Sequence, residues 1–83
     1  MQADIRSFIL ALLGKKNPLP PGFDGHTDFI AGGIIDSMAI IKFLVELEAH
    51  FDIAIDEDEL ASEQFRTVDG LVTMIAAKTA HQA

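Results

Sequence analysis

Apolar residues recur along this chain at helical spacing, with almost no strand-like alternation. Ile5, Phe8, Ile9, Leu12 and Leu13 fall at i, i+3, i+4, i+7 and i+8, one stripe of an amphipathic helix that stops near Gly14. Between Asn17 and Gly25 lie Pro18, Pro20, Pro21 and Gly22, which no helix interior tolerates. The long loop so defined runs on to Gly32-Gly33, with a single helical turn expected around Phe29. Loops of this length in a small domain are functional or tied down by their own apolar residues. Phe23, Phe29 and Ile30 are the candidates for the tying.

A second helix is predicted from Asp36-Ser37 to about Phe51, with Asp36 as N-cap, because its carboxylate can accept from the free amides of the first turn. Ile41, Leu44 and Phe51 share one face, interrupted by Glu48, while Ile40, Phe43 and Leu47 form an adjoining stripe. The apolar arc overflows onto Met38 and Val45, so part of it should stay exposed for a partner. Further on, Ile53 and Ile55 alternate with small or polar residues, too short a run for a sheet and without a second strand. Asp56 and Glu59 have the spacing of a capping box, which predicts a short helix from Glu57. Thr67 should cap a last helix carrying Val68, Leu71, Val72 and Ile75. Gly70 weakens that helix by up to about 1 kcal/mol relative to alanine, so packing must hold it. The end of the chain, from His81, is expected to fray.

Composition narrows the class. The 83 residues are 49% hydrophobic, enough to fold and too few for two cores, so residues 1–83 read as one domain with its core at about 4–78. There are no cysteines, which excludes a disulfide framework, a thiolate zinc site and a thiol nucleophile. Thirteen acids against six bases leave a net charge of −7. That argues against nucleic acid or an anionic membrane as the main partner and for a positively patched protein. The run Phe8 to Leu13 is too short to span a bilayer. With Asp4 before it and no small-residue cleavage site after it, the run reads as a core helix of a cytoplasmic protein without membrane insertion.

Candidate chemistry is sparse. From Asp56, positions six and twelve of a calcium loop would be Ala61 and Thr67, so the glycine and glutamate it needs are missing. The acidic run is better read as a solvated face. His26-Thr27-Asp28 and His50-Phe51-Asp52 lack the i, i+4 spacing of helical metal ligands, and no metal site is expected. Ser37 stands at the head of the most apolar helix, between Asp36 and Met38. It reads either as part of an ordinary helix start or as a modification site, since a helix N-terminus stabilises an attached phosphate through free amides and dipole. As a nucleophile it would need a base, an oxyanion site and a pocket. His26 or His50 are bases on paper only, and a bundle this small is not expected to offer a cleft. The chain is therefore read as a non-enzyme with no catalytic residues.

Gly32-Gly33-Ile34-Ile35-Asp36-Ser37-Met38 resembles the attachment motif of the carrier-protein family, usually Asp-Ser-Leu or Gly-Gly-x-Ser-Leu. The apolar helix ending Leu47-Glu48-Ala49-His50-Phe51, the Asp52-Ile53-Ala54-Ile55 segment with its acidic run, and Arg66-Thr67-Val68-Asp69-Gly70-Leu71 resemble the family as well. Together they span about residues 4 to 78. The resemblance implies an all-α, four-helix carrier-protein bundle with a long loop between helices 1 and 2 and a short third helix. It also implies 4′-phosphopantetheine, taken from coenzyme A by a phosphopantetheinyl transferase, on Ser37. The arm's thiol would hold an acyl or aminoacyl thioester for downstream enzymes, and Asp36, Met38, Val45 and Ile55 would form the partner surface. Ile55 also reads as core.

Within the family, fatty-acid carriers typically have an acidic second helix. Here Ala39 and Lys42 stand where acids are frequent, and the charge has moved to Asp52, Asp56, Glu57, Asp58, Glu59 and Glu63. The chain looks more like stand-alone carriers, including D-alanyl carriers and those loaded by an adenylate-forming ligase in nonribosomal-peptide-like pathways. A fatty-acid or polyketide carrier is the second reading, and an unmodified acidic helical adaptor is the alternative from another class. A monomer is expected.

Overall fold

A computed structural model describes residues 2–15, 19–36 and 38–80 of the chain, with side chains over 4–79 within those spans. Helix α1 (Gln2–Leu13) is followed by the long loop, then α2 (Ala39–Phe51), the one-turn α3 (Glu57–Leu60), a 3-10 turn η1 (Glu63–Arg66), and α4 (Val68–Ala80). No strand occurs among the described residues. The fold is the small all-α bundle expected, and the 3-10 turn is the one element the sequence pattern did not announce.

Each helix sits where its apolar spacing put it. Ile5, Ile9 and Leu13 of α1 are buried, with Phe8 and Leu12 packed at the margin of the same cluster. α4 buries Val68, Leu71, Val72 and Ile75, and also Met74. The fifth position widens its apolar arc because α4 lies between α1 and η1 and is covered on two sides. At the start of α4, Thr67 accepts from the Gly70 amide through its hydroxyl at 3.0 Å and from the Leu71 amide through its carbonyl at 3.0 Å. The capping box of α3 is complete: Asp56 Oδ1 accepts from the Glu59 amide at 2.8 Å and Glu59 Oε1 from the Asp56 amide at 3.1 Å. Glu59 also pairs with Lys78 of α4, tying the short helix to the long one.

The loop is held by its aromatic residues and by two aspartates. Phe29 is fully buried, Phe23 and Ile30 pack against the core, and Gly32 closes an i→i−4 bond onto the Asp28 carbonyl. That is the single helical turn expected there. Asp28 caps it: Oδ1 accepts from the amides of Ile30 and Ala31, and Oδ2 from Arg66 Nε at 2.7 Å. These bonds, the Ala31 amide first and Arg66 second, hold the Asp28 carboxyl below its ordinary value. Asp24 is lowered likewise, chiefly by the His26 amide and then by the Thr27 hydroxyl.

The segment after α2 is irregular, as its short alternation implied. Asp52 turns the chain in the left-handed region at φ 53°, a conformation aspartate tolerates better than most. Glu48, which interrupts the apolar face of α2, reaches forward to accept from the Ile55 amide at 2.9 Å. Ile55 itself is 8% exposed and belongs to the core cluster. This corrects its place in the expected partner surface: its side chain lies in the core cluster, and core is the reading that holds.

Two outcomes test these contacts. A methyl added at Gly70 would lie 2.6 Å from Gln64 Cα and closer still to the Gln64 carbonyl oxygen. Gly70→Ala should therefore cost about 1–3 kcal/mol by overpacking, outweighing the gain of up to about 1 kcal/mol in helix propensity, and its urea midpoint should fall. Because the folded-state pKa values of Asp24 and Asp28 are depressed, their contribution is complete above the unfolded-state value and fades as pH drops through about 4 and below. The acid limb of stability against pH, followed by urea unfolding, should be shallower in the D24N/D28N variant.

Candidate functional site

The head of α2 is positioned by the loop that precedes it. The carbonyl of Phe29 accepts from the amides of both Ile34 (3.1 Å) and Ile35 (3.2 Å), and the Phe29 amide donates to the Arg66 carbonyl at 2.9 Å. Gly33 turns the chain at φ 73°, where a side chain would be strained. The backbone entering the motif is thereby referred to the core through a buried phenylalanine.

Asp36 acts as the helix start its chemistry predicts. Oδ1 accepts from the Ala39 amide at 2.7 Å, and its carbonyl accepts from the Ile40 amide at 3.0 Å. The regular helix begins at Ala39, slightly later than the sequence pattern suggests, after Met38 in helical φ/ψ without a side-chain cap of its own. Ser37 lies outside the described residues. Its neighbours Asp36 and Met38 are both exposed, Met38 at 86%.

Met38, Ile41 and Val45 form an exposed apolar stripe along α2. Met38 and Val45 are the overflow positions expected on that surface, and Ile41 joins them because α2 buries only Phe43 and Leu47 fully. Wide apolar patterning on a helix does not say which flank faces out, so Ile41 was not legible as exposed.

A cleft of about 650 Å³ opens beside this head, between the end of α1, the 33–36 segment and α2. Its apolar wall includes Leu12, Ile34, Ile35 and Phe43, and Lys15 and Lys42 stand among its polar lining residues together with Asp36 and Glu46. This corrects the expectation that so small a bundle would offer none. The side between α1 and α2 is lined by Pro20 and Gly33 of the long loop, with no helix packed there among the described residues. The adjacent Ile34-Ile35 pair is the sequence signal that could have pointed to it.

The histidines are elsewhere. His26 Nδ1 lies 3.2 Å from Asp69 Oδ2, and His50 stacks on Phe8 with ring centroids 3.8 Å apart. Neither lines the cleft, and His81 lies outside the described residues. Asp28, paired with Arg66, and Asp56 and Glu59, bonded in their capping box, are engaged in holding the fold.

Comparison with known proteins bears on this arrangement. The family described as "Phosphopantetheine attachment site" matches residues 5–75. A D-alanyl carrier protein of Streptococcus mutans is 33% identical over 69 residues, covering 83% of this chain and 87% of that protein. A D-alanyl carrier protein of Lactococcus lactis subsp. cremoris is 36% identical over 56 residues, covering 68% of this chain and 71% of the relative. No solved structure matches the chain. Among the described residues no helix is long and apolar enough to cross a membrane. A helical bundle in which Asp36 caps the second helix, within a match covering most of its length, belongs to the phosphopantetheine-attachment family: the chain is a carrier protein that tethers acyl or aminoacyl groups on a covalent 4′-phosphopantetheine arm.

Proposed function

We propose that Ser37 is the attachment residue and that the carrier is a stand-alone one whose arm is loaded with an amino acid by an adenylate-forming ligase. One observation carries the attachment: Ser37 directly follows the residue that caps α2, Asp36, and directly precedes an exposed Met38, inside the span matched by the family. In the transfer, Ser37 Oγ bonds to the pantetheine phosphorus of coenzyme A. The bond from that phosphorus to the adenosine bisphosphate breaks, and the hydroxyl proton leaves with the departing half. The arm, once joined, supplies a thiol for thioester formation.

The residues near this position suit such a group. Asp36, directly before the attachment residue, starts the helix by accepting from the Ala39 amide. The cleft next to it is large enough for a flexible arm: ligand pockets commonly enclose about 300–1,000 Å³, and this one has about 650 Å³. The chain's own part is to display and address the arm. Bond-making groups reside in the partner enzymes. Met38, Ile41 and Val45 offer apolar contact near the arm, while the net charge of −7 favours fast encounter with basic surfaces. The D-alanyl carrier proteins among the relatives support a small aminoacyl cargo, with D-alanine the first candidate.

Incubation with coenzyme A and a broad-specificity phosphopantetheinyl transferase should raise the intact mass by one phosphopantetheine. Ser37→Ala should show no gain while its helical circular dichroism stays close to that of the parent protein. A folded parent that gains no mass would overturn the reading. Loading of the modified protein, followed by mass with D-alanine, ATP and an adenylate-forming ligase, should then add one alanyl group.

A further inference from the structure

Resting on attachment at Ser37, we propose that the α1–α2 cleft is a docking site for the prosthetic arm, with Lys15 and Lys42 receiving its phosphodiester and Leu12, Ile34 and Ile35 covering its apolar part. The charge distribution is the first argument. Of the five described lysines and arginines, Arg6 pairs with Asp69, Arg66 with Asp28 and Lys78 with Glu59. Lys15 and Lys42 make no ion pair among the described residues, and both line this one cleft. In a chain of net charge −7, gathering at one cleft the two lysines without an ion pair among the described residues gives an anion a local site against the overall field.

The helix head gives the second argument. A phosphate at a helix N-terminus is ordinarily held by free amides, but here the Ala39 amide is taken by the Asp36 carboxylate and the Ile40 amide by the Asp36 carbonyl. The same carboxylate places a negative charge next to the attachment residue. An anion joined there needs positive charge from side chains, and these two lysines are the cleft's cations. Place is the third argument. Asp36 and Met38, the residues on either side of Ser37, both line the cleft, so an arm attached between them starts at its edge. The apolar wall then matches the arm's dimethyl-substituted carbon, while its two amides remain free to face water.

The test compares the protein before and after modification by isotope-edited NMR, with the mass gain at Ser37 established first. In the modified protein the Leu12, Ile34 and Ile35 methyls should shift and should show nuclear Overhauser contacts to the arm's paired methyl groups. The K15E/K42E variant, with unchanged helical circular dichroism and the same mass gain, should lose most of the intensity of those contacts. A mass gain with perturbations confined to residues 36–39 would overturn the docking site. Contacts that survive undiminished in K15E/K42E would overturn the role of the lysines. Absence of any mass gain would overturn the attachment reading and this inference with it.

Discussion

The buried ring of Phe29 is the contact on which the rest of this small protein depends. It is fully buried although it sits in a loop, and it meets Phe43 of α2 edge to face at 5.8 Å, which in turn meets Phe65 of η1 at 6.2 Å. Three phenylalanines thus join the loop, the second helix and the 3-10 turn in a geometry that aromatic quadrupoles favour. The backbone of Phe29 adds its own links, one to Arg66 and two to Ile34 and Ile35. Without that anchor the long loop would have no fixed end, and the head of α2 would have no fixed entry.

Electrostatics reinforces the same anchor at lower cost. Asp28 bridges the loop's helical turn to Arg66, and Asp69 receives Arg6 from α1 and His26 from the loop. These pairs are partly exposed, so each is worth little in isolation. Their value is in register: Asp69 also donates its amide to the Gly25 carbonyl, and Gly25 lies so close to the Asp69 carboxylate that a side chain there would collide. The loop is therefore held at two points, Gly25 and Phe29.

The division between buried and exposed surface on α2 follows from the same constraint. With Phe43 and Leu47 committed to the core, the stripe of Met38, Ile41 and Val45 is left outside, and the cleft side receives Lys42. One helix thus carries an exposed apolar flank and, toward the cleft, Lys42. The acids are concentrated beyond it, from Asp52 through Glu63.

The local elements were determined by the sequence itself. Helical spacing, the Asp36 and Thr67 starts, the Asp56–Glu59 box and the attachment motif all depend on residues within a turn or two of one another, where spacing alone brings the groups together. The turn at Phe29 was legible for the same reason, and the excess of apolar positions on α2 showed that some of them would stay outside. What only the tertiary structure decided involves residues distant in sequence. Glu48 accepts from Ile55 seven positions on, Ile55 turns into the core, Gly70 yields its space to Gln64, and Lys15 comes to line one cleft with Lys42. Such contacts follow from how the loop crosses the bundle and from which helix flank the core leaves uncovered, and no local periodicity carries that information.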